Sequence, residues 1–277
     1  MDSVETFANR EPAIALPQLT PWPSSEQNCG TGDDSAAHAG FMGRRGGVSR
    51  GPYESFNLAH WIGDEPAAVA ENWRRWHAAN PALRPALLAQ VHRAEVLRVH
   101  NGDSILEGGR PSADGLVTTE AGIALGIFSA DCVPVLLYDA TAHAAAALHA
   151  GWRGTLANIA AAGLKVMTSA GARGARIRAA IGPAIGPCCF EVDAELANEF
   201  GRRIPAAAAF TRSGRPGKAY LDLRNIVRRQ LEIAGLNPRE IRILGPCTRC
   251  HADSYFSRRA AGGAVTGLQM SFIGFDE

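Results

Sequence analysis

From residue 85 onward the chain is a succession of short apolar runs cut by Gly, Asp and Asn: LLAQVH, VLRVH, GLVTT, IALGIFSA, VPVLLYD and AAAALHA. Runs of this length bounded by turn residues read as strands, and only the alanine-rich ones suit a helix equally well. The period then changes. Thr155 to Ser169 sets Leu156, Ile159, Leu164 and Met167 on or near one helical face, with Thr155 in position to cap it. Ile177 to Ile181 reads as a strand running into the turn GPAIGPCC, residues 191–204 and 222–234 as two helices, and IRIL at 241–244 as a late strand.

Upstream, GGVSRGPYESFNLAHWIGDEP has turn chemistry at nearly every second position. Ala67 to Ala79 then carries a helical pattern that ends before Pro81, burying Val69, Trp73 and Trp76 and exposing Glu71, Arg74 and Arg75. Residues 1–40 are rich in Pro, Ser, Gly and Asp and show little periodicity, so they read as an arm anchored by Ile14, Leu16 and Trp22, ahead of a single domain spanning 41–277. Strands and helices mix without regular βαβ alternation, which predicts an α+β fold rather than a doubly wound sheet. No internal repeat, GxGxxG or P-loop pattern is present.

Composition narrows the function classes. Apolar residues make up 46% and charged residues 20%, near the globular average, and a formal charge of +1 gives no field to gather nucleic acid or an anionic membrane. The acidic start MDSVETFANREP lacks the basic and apolar regions of a secretory signal, and no run of about 18 apolar residues marks a membrane span. The six cysteines are scattered or tightly paired rather than spaced as a disulfide framework, so a cytoplasmic protein with reduced thiols is expected.

Three reactive side chains stand at strand ends beside turns: His92 in QVHRAEV, Cys132 in FSADCVPVLL and His149 in ALHAGWRGT. Two imidazoles and a thiolate match the three-ligand count of a catalytic zinc site, where the fourth position is left to water or substrate and the bound water titrates near pH 7. Their spacing alone leaves open that Cys132 is a small buried hydrophobe and that both histidines are ordinary hydrogen-bonded side chains. HAGWRGT leads into a helix start, where Gly151 and Gly154 permit close approach and Arg153 offers a planar fork to phosphate; a plain strand-to-helix turn is the alternative. The loop RRGGVSRGPYESFNL, with Arg45 at its head, and the acidic Asp131 and Asp114 are further candidates for substrate binding or acid–base work, the carboxylates being equally suited to capping turns. CTRCHAD at Cys247–Asp253 contains CxxC followed by His251, which on its face suggests a metal or redox motif, but no second CxxC completes a four-ligand set. The vicinal Cys188–Cys189 has poor geometry for joint chelation, so the motif reads as incidental.

Taken together, the stretches RRGGVSRGPYESFNL, GDEPAAVAENW, QVHRAEV, ADGLVTTEAGIALGIFSADCVPVLLYD, HAGWRGT, IGPAIGPCCFEV, LDLRNIVRRQL and CTRCHADSYFSRR resemble the laccase-domain or YfiH-like family. The resemblance runs from about Arg45 to Arg259. It implies a layered α-β-β-α sandwich with mixed sheets, with His92, Cys132 and His149 as zinc ligands and catalytic centre. It also implies phosphorolysis of adenosine, inosine and S-methyl-5'-thioadenosine with a companion adenosine deamination, so the expected partners are small nucleosides and phosphate, taken by a monomer or homodimer. Arg45, Arg153 and Asp131 are the expected substrate or phosphate contacts. Copper is the alternative metal, through a phenol oxidase activity associated with such proteins, although a multicopper oxidase needs more histidine ligands than these positions supply. Two further readings accompany the resemblance: hydrolytic editing of a cell-wall precursor, and nucleoside binding without turnover.

Overall fold

The computed structural model describes residues 37–275 and the two-residue strand Thr20–Pro21; the arm positions Ile14, Leu16 and Trp22 lie outside the described residues. In chain order the first strands are β1 (Thr20–Pro21), β2 (Ala37–Phe41), β3 (Arg84–Leu87), β4 (Val96–Arg98), β5 (Gly115–Thr118) and β6 (Ile123–Ser129). The hairpin β7 (Val133–Asp139) and β8 (Ala144–Ala150) follows, then β9 (Arg178–Ile181), β10 (Glu191–Asp193), β11 (Thr211–Ser213), β12 (Lys218–Leu221), β13 (Ile241–Ile243) and β14 (Gln269–Phe275). The helices are α1 (Pro66–Ala79), α2 (Trp152–Leu156), α3 (Ile159–Ser169), α4 (Ala194–Arg203) and α5 (Leu223–Ile233).

Two mixed sheets stack face to face. One has the order β1-β2-β14-β6-β3 and the other β13-β9-β7-β8-β5-β4, while β10-β12-β11 form a small third sheet. The layering follows from side-chain alternation along strands buried on both faces. In β6, Ile123, Leu125 and Ile127 point into the core between the sheets, against Leu116, Leu136, Ala145 and Ala147 of the other sheet. The opposite face of β6 gives Ala124 and Phe128 to a second core closed by Trp76 of α1 with Phe56 and Leu58. In β7 and β8, Val133, Val135, Leu137, Ala146 and Leu148 face a third core under α3, α4 and α5. The expected α-β-β-α sandwich is the result.

The alanine-rich run that suited helix or strand is the strand β8. It is flanked by β5 and β7, and small side chains let α3 approach so closely that a Cβ on Gly163 would lie 2.6 Å from Leu148. The helix expected from Thr155 to Ser169 is in fact two. Asn158, at φ 60°, breaks the chain after α2 and caps α3 by accepting from the Ala161 amide at 3.3 Å. Thr155 is buried inside α2, its hydroxyl donating back to the Gly151 carbonyl, and caps nothing. Residues 191–193 are strand, so α4 begins at Ala194. LLAQVH is only partly strand: β3 ends at Leu87, and beyond it only Ala89 bridges to Ser112, which leaves His92 on a loop. In α1 the buried residues are Val69, Trp76 and also Asn72, whose amide binds Ser49, Ser55 and Asn57, so the turn-rich segment is tied to the helix by polar contacts that no apolar pattern reveals. Glu71 and Arg75, expected exposed, are half-buried because Arg75 reaches the Gly46 carbonyl and pairs with Glu71.

Candidate functional site

The antiparallel registers bring the starts of β5 and β7 beside the end of β8, with Gly115 opposite Leu148 and Val133 opposite Ala150. β4 runs parallel to β5, so the loop before it arrives at the same end of the sheet. His92 on that loop, Cys132 just before β7 and His149 near the end of β8 therefore meet, although they are distant in sequence. Their ligand atoms lie within 4.8 Å of one another, and the two imidazole rings stand nearly perpendicular with centroids 4.8 Å apart. Gly151 leaves these side chains room: a Cβ would sit 3.1 Å from the His92 ring and 3.2 Å from the Cys132 sulfur, so both would have to shift by a few tenths of an ångström. Gly154 serves the same packing, since its Cβ would fall 2.8 Å from the Arg93 carbonyl.

Asp114 holds the arrangement from beneath. It is wholly buried immediately before β5, and it accepts from the amides of Val91, His92 and Arg93 at 3.2, 2.8 and 2.7 Å. Its Oδ1 also lies 2.9 Å from Nδ1 of His149, which fixes the ring with Nε2 left for the centre. Burial opposes the charge of Asp114, but His149 and the amides of Arg93 and His92 outweigh it and hold the carboxyl below its ordinary value. Burial likewise pushes the Cys132 thiol up, yet the adjacent charge of His149 and hydrogen bonds from both histidines bring it down to about 6. For His149 burial works against the proton, while Cys132 and Asp114 raise the pKa to about 9.

This donor set suits zinc. An ion about 2.0 Å from nitrogen and about 2.3 Å from sulfur has tetrahedral ligands about 3.3–3.6 Å apart, a spacing reachable by small rotations of these side chains. His149 is buried, whereas His92 is exposed and Cys132 half-buried, so the set opens on one side. It opens into a cavity of about 1130 Å³ whose lining includes Trp61, Phe128, Phe190, Arg110, Arg258 and Ser129. Arg110 stacks on Trp61 with its guanidinium 3.2 Å from the ring centre and donates to the Leu88 carbonyl. The buried Ser129 hydroxyl and the Nε of Arg110 find no partner within the protein.

The expected substrate contacts fall differently. Asp131 lines the cavity at φ 100°, but both carboxylate oxygens are engaged: Thr248 donates its hydroxyl to one at 2.6 Å and the Arg259 amide donates to the other at 2.7 Å. Arg45 pairs with Asp253 and Arg153 stacks on Trp152, and neither is among the lining residues. Sequence reasoning passed over Arg110, Arg258, Trp61 and Ser129. Arg258, Ser129 and Trp61 lie inside the stretches CTRCHADSYFSRR, ADGLVTTEAGIALGIFSADCVPVLLYD and GGVSRGPYESFNLAHWIGDEP, whereas nothing in the local pattern marks Arg110. Among the described residues no helix is long and apolar enough to cross a membrane.

The family model for "multi-copper polyphenol oxidoreductase laccase" matches residues 38–276. The chain belongs to this family. It is 36% identical to the purine nucleoside phosphorylase YlmD of Geobacillus stearothermophilus over 89% of this chain and 93% of that protein. It is 41% identical to a purine nucleoside phosphorylase of Streptomyces coelicolor, over 87% of this chain and 97% of the relative. The crystal structure of the Geobacillus YlmD superposes with a TM-score of 0.81 at 36% identity, covering 87% of this chain and 92% of that one. The Bacillus licheniformis protein YfiH gives the same TM-score of 0.81 at 31% identity, over 86% of this chain and 92% of its own.

Proposed function

We propose that this family member is a zinc-dependent purine nucleoside phosphorylase acting on adenosine, inosine and S-methyl-5'-thioadenosine, with adenosine deamination as a side reaction. The observation that carries the reading is the open set of His92, Cys132 and His149 at the floor of an aromatic and arginine-lined cavity, in a chain whose relatives bear the phosphorylase name. The flat faces of Trp61, Phe128 and Phe190 suit a purine, and the unpaired hydroxyl of Ser129 suits a polar edge of base or ribose.

In phosphorolysis an oxygen of hydrogen phosphate bonds to C1' of the ribose as the bond from C1' to the base nitrogen breaks; the electron pair goes to that nitrogen, which takes up the proton the phosphate gives up. Of the three arginines that line the cavity, Arg259 donates to the Cys189 and Glu191 carbonyls, which leaves Arg258 and Arg110 to hold phosphate, in preference to the outward Arg45 and Arg153. Asp131 positions the Arg258–Arg259 segment through the Arg259 amide and is not itself a base. Asp114 fixes the His149 tautomer and the loop carrying His92. The chemistry that zinc supplies when held by His92, Cys132 and His149 is Lewis-acid polarisation of a bound substrate atom and acidification of water, the latter serving deamination. A multicopper mechanism has less support, because among the described residues His92, Cys132 and His149 form the one such cluster that contains histidine.

The test is incubation of zinc-loaded protein with each nucleoside, with and without phosphate, and chromatographic separation of products beside Cys132→Ala. Phosphate-dependent release of free base by the wild type alone is expected. Full activity in the metal-free Cys132→Ala protein, or no turnover of any nucleoside, would overturn the proposal, and the latter would favour cell-wall precursor hydrolysis.

A further inference from the structure

A second cluster stands apart from the catalytic candidates. Cys188, Cys189, Cys247 and Cys250 bring four sulfurs within 4.8 Å of one another, with Cys250 at 3.6 Å from Cys188 and 3.4 Å from Cys189. No pair is joined as a disulfide. The vicinal pair that looked ill-suited to joint chelation comes together because residues 186–190 form a tight turn, with the amides of Cys189 and Phe190 both donating to the Gly186 carbonyl at 2.9 Å. This turn is stitched to the CxxC segment by a bridge between Ala184 and Cys247 and by the Thr248 amide donating to the Ala184 carbonyl.

We infer that these four cysteines form a structural zinc site that clamps the 184–190 turn to the CxxC segment at 247–250. Four bonds of about 2.3 Å in a tetrahedron put sulfurs about 3.8 Å apart, close to the separations here; thiolates around a multi-iron cluster stand farther apart. The surroundings are those of a thiolate set. The Gly186 amide donates to the Cys247 sulfur at 3.2 Å, the Cys250 amide does likewise, and Arg249 donates to the Cys189 sulfur at 3.4 Å. Gly186 is confined beside the cluster: a Cβ there would lie 3.1 Å from Cys247 Cβ, 3.3 Å from the Cys188 sulfur and 3.5 Å from the Arg224 guanidinium. Arg224, Arg249 and Arg259, which donates to the Cys189 carbonyl, supply positive charge against four thiolates and one divalent ion.

The clamp has a consequence for the cavity. Ile185 and Phe190 line it from one clamped segment, and Thr248 of the other donates to Asp131, which borders Cys132 and holds the Arg259 amide. The site therefore braces one wall of the cavity without touching substrate.

The test begins with Cys132→Ala, which removes the sulfur of the other site, purified under reducing conditions and loaded with zinc. Metal analysis is expected to find one zinc per chain in this variant and two in the wild type. Adding Cys250→Ser, and separately Cys188→Ser, is expected to remove the remaining zinc while far-ultraviolet circular dichroism stays that of a folded chain. Cobalt loaded into Cys132→Ala should give the intense thiolate charge-transfer and visible bands of a tetrahedral all-sulfur site. A zinc-free Cys132→Ala protein, a cluster holding iron, or a disulfide among these cysteines under reducing conditions would overturn the inference. None of these readouts depends on nucleoside turnover, so failure of the phosphorylase reading is seen separately.

Discussion

Asp114→Asn changes no volume and probes how much of the candidate site depends on one buried carboxylate. In the wild type Oδ1 serves the His92 amide and His149 Nδ1, and Oδ2 serves the amides of Arg93 and Val91. An asparagine keeps one acceptor oxygen, and its NH2 must face one of these two pairs of donors. If the oxygen turns to His149, the amides of Arg93 and Val91 lose their partner; if it turns away, His92 and His149 do. A donor left unsatisfied where water cannot reach it costs about 1–3 kcal/mol, and because the three amides are only part-buried, two lost partners cost at most about 2–6 kcal/mol, a fall in Tm of up to the order of 10 °C. Losing the group that orients a ligating imidazole weakens metal binding by about 10–100-fold. Competition with a chromophoric chelator measures the zinc affinity, and calorimetry of the metal-free protein measures the structural cost. Wild-type zinc affinity together with wild-type Tm in Asp114→Asn would refute the argument that this carboxylate organises the site.

In metal-free protein the Cys132 thiol is depressed from 9.0 to about 6, so its reactive thiolate persists above that pH and is lost only below it. Alkylation of Cys132, followed by peptide mass spectrometry, should be nearly flat from pH 7 to 9, fall with a midpoint near 6, and be blocked by zinc; a rate climbing tenfold per pH unit from 6 to 8 would contradict this. Gly154→Ala drives a Cβ against the backbone carbonyl of Arg93 and should destabilise by about 1–3 kcal/mol and weaken zinc binding through the His92 loop, readable in thermal unfolding and chelator competition. Gly151→Ala meets side-chain atoms that can yield by a few tenths of an ångström, and should reduce zinc affinity with a smaller loss of Tm. Arg258→Ala should raise the KM for phosphate by about 10–100-fold, the value of a charge-assisted hydrogen bond, and Arg153→Ala should leave it unchanged; the reverse ranking in steady-state kinetics would move the phosphate to the α2 side.

The layered architecture was legible because strands buried on both faces write near-continuous apolar runs, and β6, β7 and β8 do so. The break between α2 and α3 was not. Ala157 and Asn158 do not interrupt the apolar spacing, and only the left-handed backbone of Asn158 shows that one helix ends and another starts there. Asn72 was hidden for the related reason that a polar residue on the buried face of α1 looks like a fault in the pattern until its partners Val48, Ser49, Ser55 and Asn57 are known.

Residue type nominated His92, Cys132 and His149, yet what brings them together is topology. A ligand at the end of β8 can meet one at the start of β7 because the hairpin sets Pro134 opposite His149, and a third arrives because β4 lies parallel to β5. None of these pairings is local, so spacing rules built for zinc fingers are silent on them. The cysteines show the same limit in reverse. Judged by the absence of a second CxxC, Cys247 and Cys250 looked incidental, but β13 pairs with β9 in parallel and delivers the chain that follows each strand to the same edge of the sheet. Two parallel neighbours that continue into turns will place those turns side by side, and here each turn carries two thiols. That CxxC acquires its partners from a vicinal pair some sixty residues away is thus a property of strand order, and the distance between motifs along the chain carried no information against it.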